Sequence, residues 1–125
     1  MLNIGKKMNS KKNKGDKAER EAAAILTRET NYEVRRKLGA GRLDDVGDLD
    51  GIPFTIVQCA DWSDKSRACL VKPREAEMQK WNAKAKFATS MIRWRGGHWR
   101  MVSTVNQWTA ILKAALWAID HGYKG

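Results

Sequence analysis

The sequence predicts a single α/β domain: a mixed central sheet flanked by helices. Three observations lead there. Segments with helical and strand periodicity alternate in the order helix, three strands, helix, two strands, helix. A short apolar, β-branched run, Ile52 to Val57, is bounded at its start by Gly51 and Pro53 and has the length of a strand. Arg95-Gly96-Gly97-His98 separates two strand-like segments and is a hairpin signal.

The N-terminal residues 1–14 hold Lys6, Lys7, Lys11, Lys12 and Lys14 and no acid, with no apolar periodicity. They read as a flexible basic arm, with residues 15–125 as the folded domain. Gly15 and Asp16 open a helix over 17–28, with Asp16 as its N-cap. Ala18, Ala22, Ala23, Ile25 and Leu26 form its apolar stripe. Glu19 has Ala22, Ala23 and Leu26 at plus three, four and seven, which places a carboxylate on the inward side. It needs a partner there, either an arginine or backbone amide or a functional one. Glu21 neighbours Lys17 and Arg28 and reads as a solvated ion-pairing residue.

Tyr32 to Lys37 reads as a strand with a basic end, and 38–46 as a glycine-bearing loop. Asp48 and Asp50 then lead through Gly51 into the apolar strand, with a hairpin turning at Asp50-Gly51. Side chains alternate along a strand, so Ile52, Phe54, Ile56, Gln58 and Ala60 share one face. An acidic turn before a strand whose end carries polar groups suits a metal site at a sheet edge; the alternative is a hairpin with a solvated turn. Residues 61–71 read as irregular. Pro73 starts a helix over 74–89, buried through Met78, Trp81, Ala85 and Ala88. Strands follow at 90–94 and 99–104. Asn106 caps a last helix over 107–119, with Trp108, Ile111, Leu112, Ala115 and Leu116 as its apolar positions.

Composition narrows the class of partner. The 42% apolar content argues against wholesale disorder, and 24 Lys and Arg against 14 acids give a net charge of +10. Such an excess favours a polyanion, nucleic acid above all. No apolar run reaches the roughly 18 residues of a membrane span, and the N-terminus lacks the apolar stretch of a secretory signal. Cys59 and Cys69 make no disulfide framework and no zinc spacing. A cytoplasmic protein with reduced thiols is expected.

Several blocks together resemble the archaeal-type Holliday junction resolvases and their phage relatives, within the PD-(D/E)XK nuclease superfamily. They are Lys14-Gly15-Asp16-Lys17-Ala18-Glu19-Arg20-Glu21, Arg35-Arg36 with the Gly39/Gly41 loop, Gly47-Asp48-Leu49, Gly51-Ile52-Pro53 and the strand ending in Gln58. The resemblance covers about residues 14–110. It implies a restriction-endonuclease-like fold, a homodimer, and magnesium-dependent hydrolysis (with manganese as a substitute) of branched DNA in recombination and repair, in a prokaryotic or phage-infected cell. Position by position it implies Glu19 and Asp48 as metal-binding carboxylates and the Cys59 carbonyl as a further ligand. Gln58 falls on the acid of the Glu-x-Lys motif and Ala60 on its lysine.

Both of the last two positions depart from the family pattern. Gln58 keeps a carbonyl oxygen but no charge, which weakens metal binding. Ala60 can neither polarise water nor hold phosphate. Three explanations compete: an engineered inactivation, a lysine supplied from elsewhere (Lys65 or Lys80), or a natural relative that binds without cutting. The expected function is a structure-selective endonuclease, impaired by Ala60. The alternative is a junction- or duplex-DNA-binding protein without catalysis. Lys11, Lys12, Lys14, Arg35, Arg36, Lys37 and Arg42 are the expected DNA contacts.

Overall fold

The structure, a computed structural model, describes residues 2–37 and 48–125, and side chains from residue 14 onward. Its elements are α1 (Leu2–Thr30), β1 (Arg35–Arg36), β2 (Leu49–Asp50), β3 (Thr55–Ala60), α2 (Lys65–Ala83), β4 (Phe87–Trp94), β5 (His98–Val102) and α3 (Val105–Asp120). The five strands form one sheet in the order β1-β2-β3-β4-β5. β3 and β4 are parallel and joined through α2; every other neighbouring pair is antiparallel. The α/β class and the element order read from the sequence are those observed. No helix among the described residues is long and apolar enough to cross a membrane.

Strand alternation divides the core into two layers. On one face, Ala22, Ala23 and Leu26 of α1 pack with Val34, Leu49, Val57, Cys59 and Met91. On the other, α2 places Ala76 against Ile56 and Ala88, and Ala68 against Ala60 and Ile92. Alanines on the sheet-facing side let α2 approach closely, so its burial rests on small residues.

Four boundaries differ from the sequence reading. The segment read as a basic arm has helical backbone from Leu2, continuous with the helix expected over 17–28. It contains no proline, lysine is a good helix former, and extending an existing helix costs far less than nucleating one. Helix α2 begins at Lys65, because Asp64 caps it by accepting the Arg67 N–H at 3.0 Å; Pro73 lies buried inside it. Its sheet-facing side carries Ala68, Pro73, Ala76 and Gln79, so the expected stripe points outward: Met78 is 69% and Trp81 80% exposed. The helix ends at Ala83, with Lys84 left-handed, and Phe87 to Thr89 belong to β4. Thr104, not Asn106, caps α3, and it also donates to the Glu77 carboxylate of α2.

The β2–β3 hairpin is present, but Ile52, Pro53 and Phe54 lie in its turn rather than in the strand. Gly51 adopts φ 126°, and a Cβ there would collide with the Glu33 carbonyl oxygen. Backbone crowding and the left-handed conformation act together, so Gly51→Ala is expected to cost about 2–3 kcal/mol. A urea titration that leaves the midpoint unchanged would refute this. The β4–β5 hairpin turns at Gly96 and Gly97, both with positive φ, as the sequence suggests.

Glu21 is not the solvated residue expected. Its Oε1 accepts from Trp99 Nε1 at 2.7 Å and Arg93 Nε at 3.1 Å, tying α1 to the β4–β5 hairpin. The Trp99 hydrogen bond, with help from Arg93, holds its carboxyl below the usual value despite partial burial. A depressed carboxyl contributes stability above its unfolded pKa and loses it as pH falls through the folded one. Glu21→Gln is therefore expected to flatten the acid limb of the stability–pH profile below about pH 4.5. Parallel profiles for the two proteins would contradict it.

Candidate active site

At the C-terminal end of β3, between α1 and α2, a cavity of about 480 Å³ is lined by Lys14, Ala18, Glu19, Asp48, Cys59, Ala60, Trp62 and Lys72, among others. In α/β sheets with parallel strands this end is the usual place for ligands, since loops diverge there. Helix α1 supplies Glu19 from its sheet-facing side. Asp48 enters at the start of β2, where Lys37 donates its backbone N–H to the Asp48 carbonyl at 2.8 Å and Asp48 donates to Val57 at 3.1 Å. These ladder bonds fix the aspartate against β3, and its Oδ2 accepts the Cys59 N–H at 2.8 Å.

The two carboxylates are held at a cost. Burial raises the Glu19 carboxyl, and the negative charge of Asp48 raises it further. Arg36 opposes this: its Nε lies 3.3 Å from Glu19 Oε2 and its Nη2 2.8 Å from Asp16 Oδ1. The two carboxylates repel each other, and Arg36 offsets part of that repulsion, with Lys14 and Lys72 also lining the cavity. Burial, with the charges of Asp48 and Glu19 adding to it, pushes the Cys59 thiol far up, so it stays protonated and is not a thiolate ligand.

Not every residue expected at the site is there. Gln58 is 1% exposed and points to α2, where its amide donates to Gln79 Oε1 and its carbonyl faces the Lys72 ammonium at 3.4 Å. Strand alternation explains this: Gln58 lies on the α2 face, while Val57 and Cys59 face α1. The expectation that Gln58 ligates metal is corrected accordingly. Ala60 shares the Gln58 face but stands at the strand end, where it does line the cavity.

Lys65 and Lys80, the two lysines expected to compensate for Ala60, do not line it. Lys65 pairs with Asp61 at 3.2 Å. Lys72 does line it, with a side chain only 14% exposed. Its ammonium lies 3.5 Å from Glu75 Oε2 and 5.2 Å from the Trp62 ring centroid. The signal was present in the spacing, since Lys72 follows Ala68 by four residues and precedes Ala76 by four. It is visible only if the helix begins at Lys65.

Of the expected DNA contacts, Lys14 is exposed at the cavity rim, and Arg35 is exposed and pairs with Glu33 at 2.7 Å. Arg36 is engaged by Asp16 and Glu19, which makes it a brace of the site rather than a free cation. Lys37 is half-buried. The side chains of Lys11 and Lys12 and the whole of Arg42, with Gly39, Gly41 and Gly47, lie outside the described residues.

The donor set fits magnesium in one form only. Among the described residues no group of three or more His, Cys, Asp and Glu side chains forms a cage. Magnesium seldom needs one: it is commonly held by one or two carboxylates, with water and substrate phosphate completing the shell. Glu19 and Asp48, which both line the cavity, match that requirement. Comparison with protein families, with characterised proteins and with solved structures returned no match.

Proposed function

We propose that this chain is a magnesium-dependent, structure-selective DNA endonuclease acting on branched DNA such as four-way junctions. The observation that carries the reading is that Glu19 and Asp48, 29 residues apart in sequence, meet in one cavity whose wall also carries Lys72. A chain of net charge +10 brings such a site to phosphate. Glu19 and Asp48 would hold the ion, which when bound supplies Lewis acidity toward the phosphodiester. Lys72 takes the place that Ala60 leaves empty. Its ammonium, kept in the cavity by Gln58, Glu75 and Trp62, is placed to hold a phosphate oxygen. Arg36 keeps Glu19 and Asp16 oriented, and Trp62 screens the ammonium from water.

The test is cleavage of a labelled four-way junction with magnesium, against a linear duplex of matching sequence. Junction cleavage with the duplex spared supports the reading. Tight junction binding without cleavage, both in this protein and in Ala60→Lys, would replace it with the second reading, a non-catalytic junction- or duplex-binding protein. Ala60 and the neutral, fully engaged Gln58 are the observations that favour this alternative.

The five lysines among residues 1–14 are assigned to the phosphate backbone. Each phosphate contact contributes about 0.9 to the slope of log affinity against log salt, so deleting these residues is expected to lower that slope by roughly 2–4. Among the described side chains of α1, the first buried one is Ala18, which the deletion leaves in place, so the fold is expected to survive it. An unchanged slope would remove this segment from the interface.

A further inference from the structure

At the end of the sheet away from the cavity, two aromatic rings stand in solvent among lysines. Helix α2 leads from the C-terminal end of β3 back to the start of β4. Trp81 therefore lies about 14 Å along the helix beyond Lys72, the residue that lines the cavity. Trp81 is one of the most exposed large side chains, and Phe54, in the turn before β3, is 64% exposed. The backbone holds both in place. Phe54 has φ 60°, an outlier for a bulky residue, and its carbonyl accepts the N–H groups of Lys86 at 2.8 Å and Phe87 at 3.0 Å. Lys84 is left-handed too, and its N–H closes α2 by donating to the carbonyls of Lys80 and Trp81. The turn carrying Phe54 is thus bonded to the segment that follows Trp81, and the two rings belong to one corner of the fold.

The charge in this segment has one sign. Lys80 and Lys84 flank Trp81 in the chain, and the Lys86 ammonium lies 5.8 Å from the centroid of the Phe54 ring. Among the described residues none of these three lysines forms an ion pair. No acid occurs between Glu77 and Asp120; Glu77 already accepts from Thr104, and Asp50 lies four residues before Phe54. Exposed aromatics often mark protein contacts, but protein interfaces are depleted in lysine. Ring faces beside free ammonium groups match a nucleic-acid strand instead, because rings stack on bases while lysines meet phosphates. Stacking on a protein ring needs bases that are not already stacked in a duplex, so the strand is unpaired.

We propose that Phe54, Trp81 and the lysines around them form a second DNA site, which takes an unpaired strand by base stacking. The site is separate from the cavity and its test uses no magnesium and no cleavage, so it stands or falls independently of the nuclease reading. Fluorescence anisotropy of a labelled strand of about twelve deoxythymidines measures the affinity of the full chain. Trp81→Ala is expected to weaken binding at least about tenfold, while Trp81→Phe, which keeps a ring, retains most of it. Phe54→Asn removes the other ring with a residue that tolerates the left-handed backbone, and should also weaken binding. An abasic strand of the same length separates stacking from charge: wild type and Trp81→Ala should bind it equally. Replacing the three lysines by glutamine should lower the slope of log affinity against log salt by about 2. Melting temperatures of the variants check that the fold is kept. A wild-type chain that ignores the deoxythymidine strand, either ring deletion binding it as tightly as wild type, or an equal loss on the abasic strand would each overturn the proposal. So would a uridine strand bound far more tightly, since the ligand would then be RNA.

Discussion

Asp48→Asn is expected to abolish junction cleavage, by at least about 10³-fold, which corresponds to roughly 4 kcal/mol of lost transition-state stabilisation. The substitution removes one of two carboxylates available to magnesium while keeping an oxygen that can accept the Cys59 N–H. The hairpin should therefore stay intact. Taking a negative charge from beside the phosphate should leave DNA affinity unchanged or raise it, so rate and binding ought to part company. Cleavage rates and binding isotherms measured on the same junction decide the matter. If affinity and melting temperature collapse together with activity, Asp48 is a structural residue and the nuclease reading fails.

The second large effect belongs to Lys72. Lys72→Ala is expected to slow cleavage on the order of 10²-fold, in the range seen when one preorganised electrostatic contact is removed from a desolvated site. Lys72→Arg should retain part of the rate, since a cation remains. A bracing role predicts something else. Lys72 touches Gln58 and Glu75, and its loss would leave part of a buried amide pair unsatisfied. A purely structural lysine would lower the melting temperature and leave the rate per folded molecule unchanged. Ala60→Lys in the Lys72→Ala background asks whether the strand position can resume the role. Crowding against Ala68 and Ile92 makes partial recovery the expected outcome. Full activity of Lys72→Ala would remove this residue from the mechanism.

Periodicity made Glu19 legible: an acid with Ala22, Ala23 and Leu26 three, four and seven residues on has to face inward, and it does. Asp48 and the β2–β3 hairpin were legible for a different reason, since Gly51 stands at a φ that other residues rarely adopt. The hairpin at Gly96-Gly97 follows the same logic. Lys72 was not legible, because Pro73 reads as a helix start whereas the cap at Asp64 places it mid-helix. A helix read from Arg74 leaves out Ala68 and Lys72, which with Ala76 mark the inward side, whereas Met78 and Trp81 lie on the opposite side, in solvent.

By itself, then, the sequence determined the α/β class, the order of elements, both hairpins, the inward carboxylate on α1 and the excess of positive charge. These depend on local rules: side-chain periodicity, turn chemistry and composition. Tertiary structure alone decided the rest. Strand alternation turned Gln58 toward α2 and Gln79, away from Asp48. A long-range hydrogen bond drew Glu21 to Trp99 across the hairpin, and packing left the stripe of α3 in solvent while burying Gln107. Each of these outcomes depends on which element lies opposite, and a single chain segment carries no record of its neighbour until the sheet has formed.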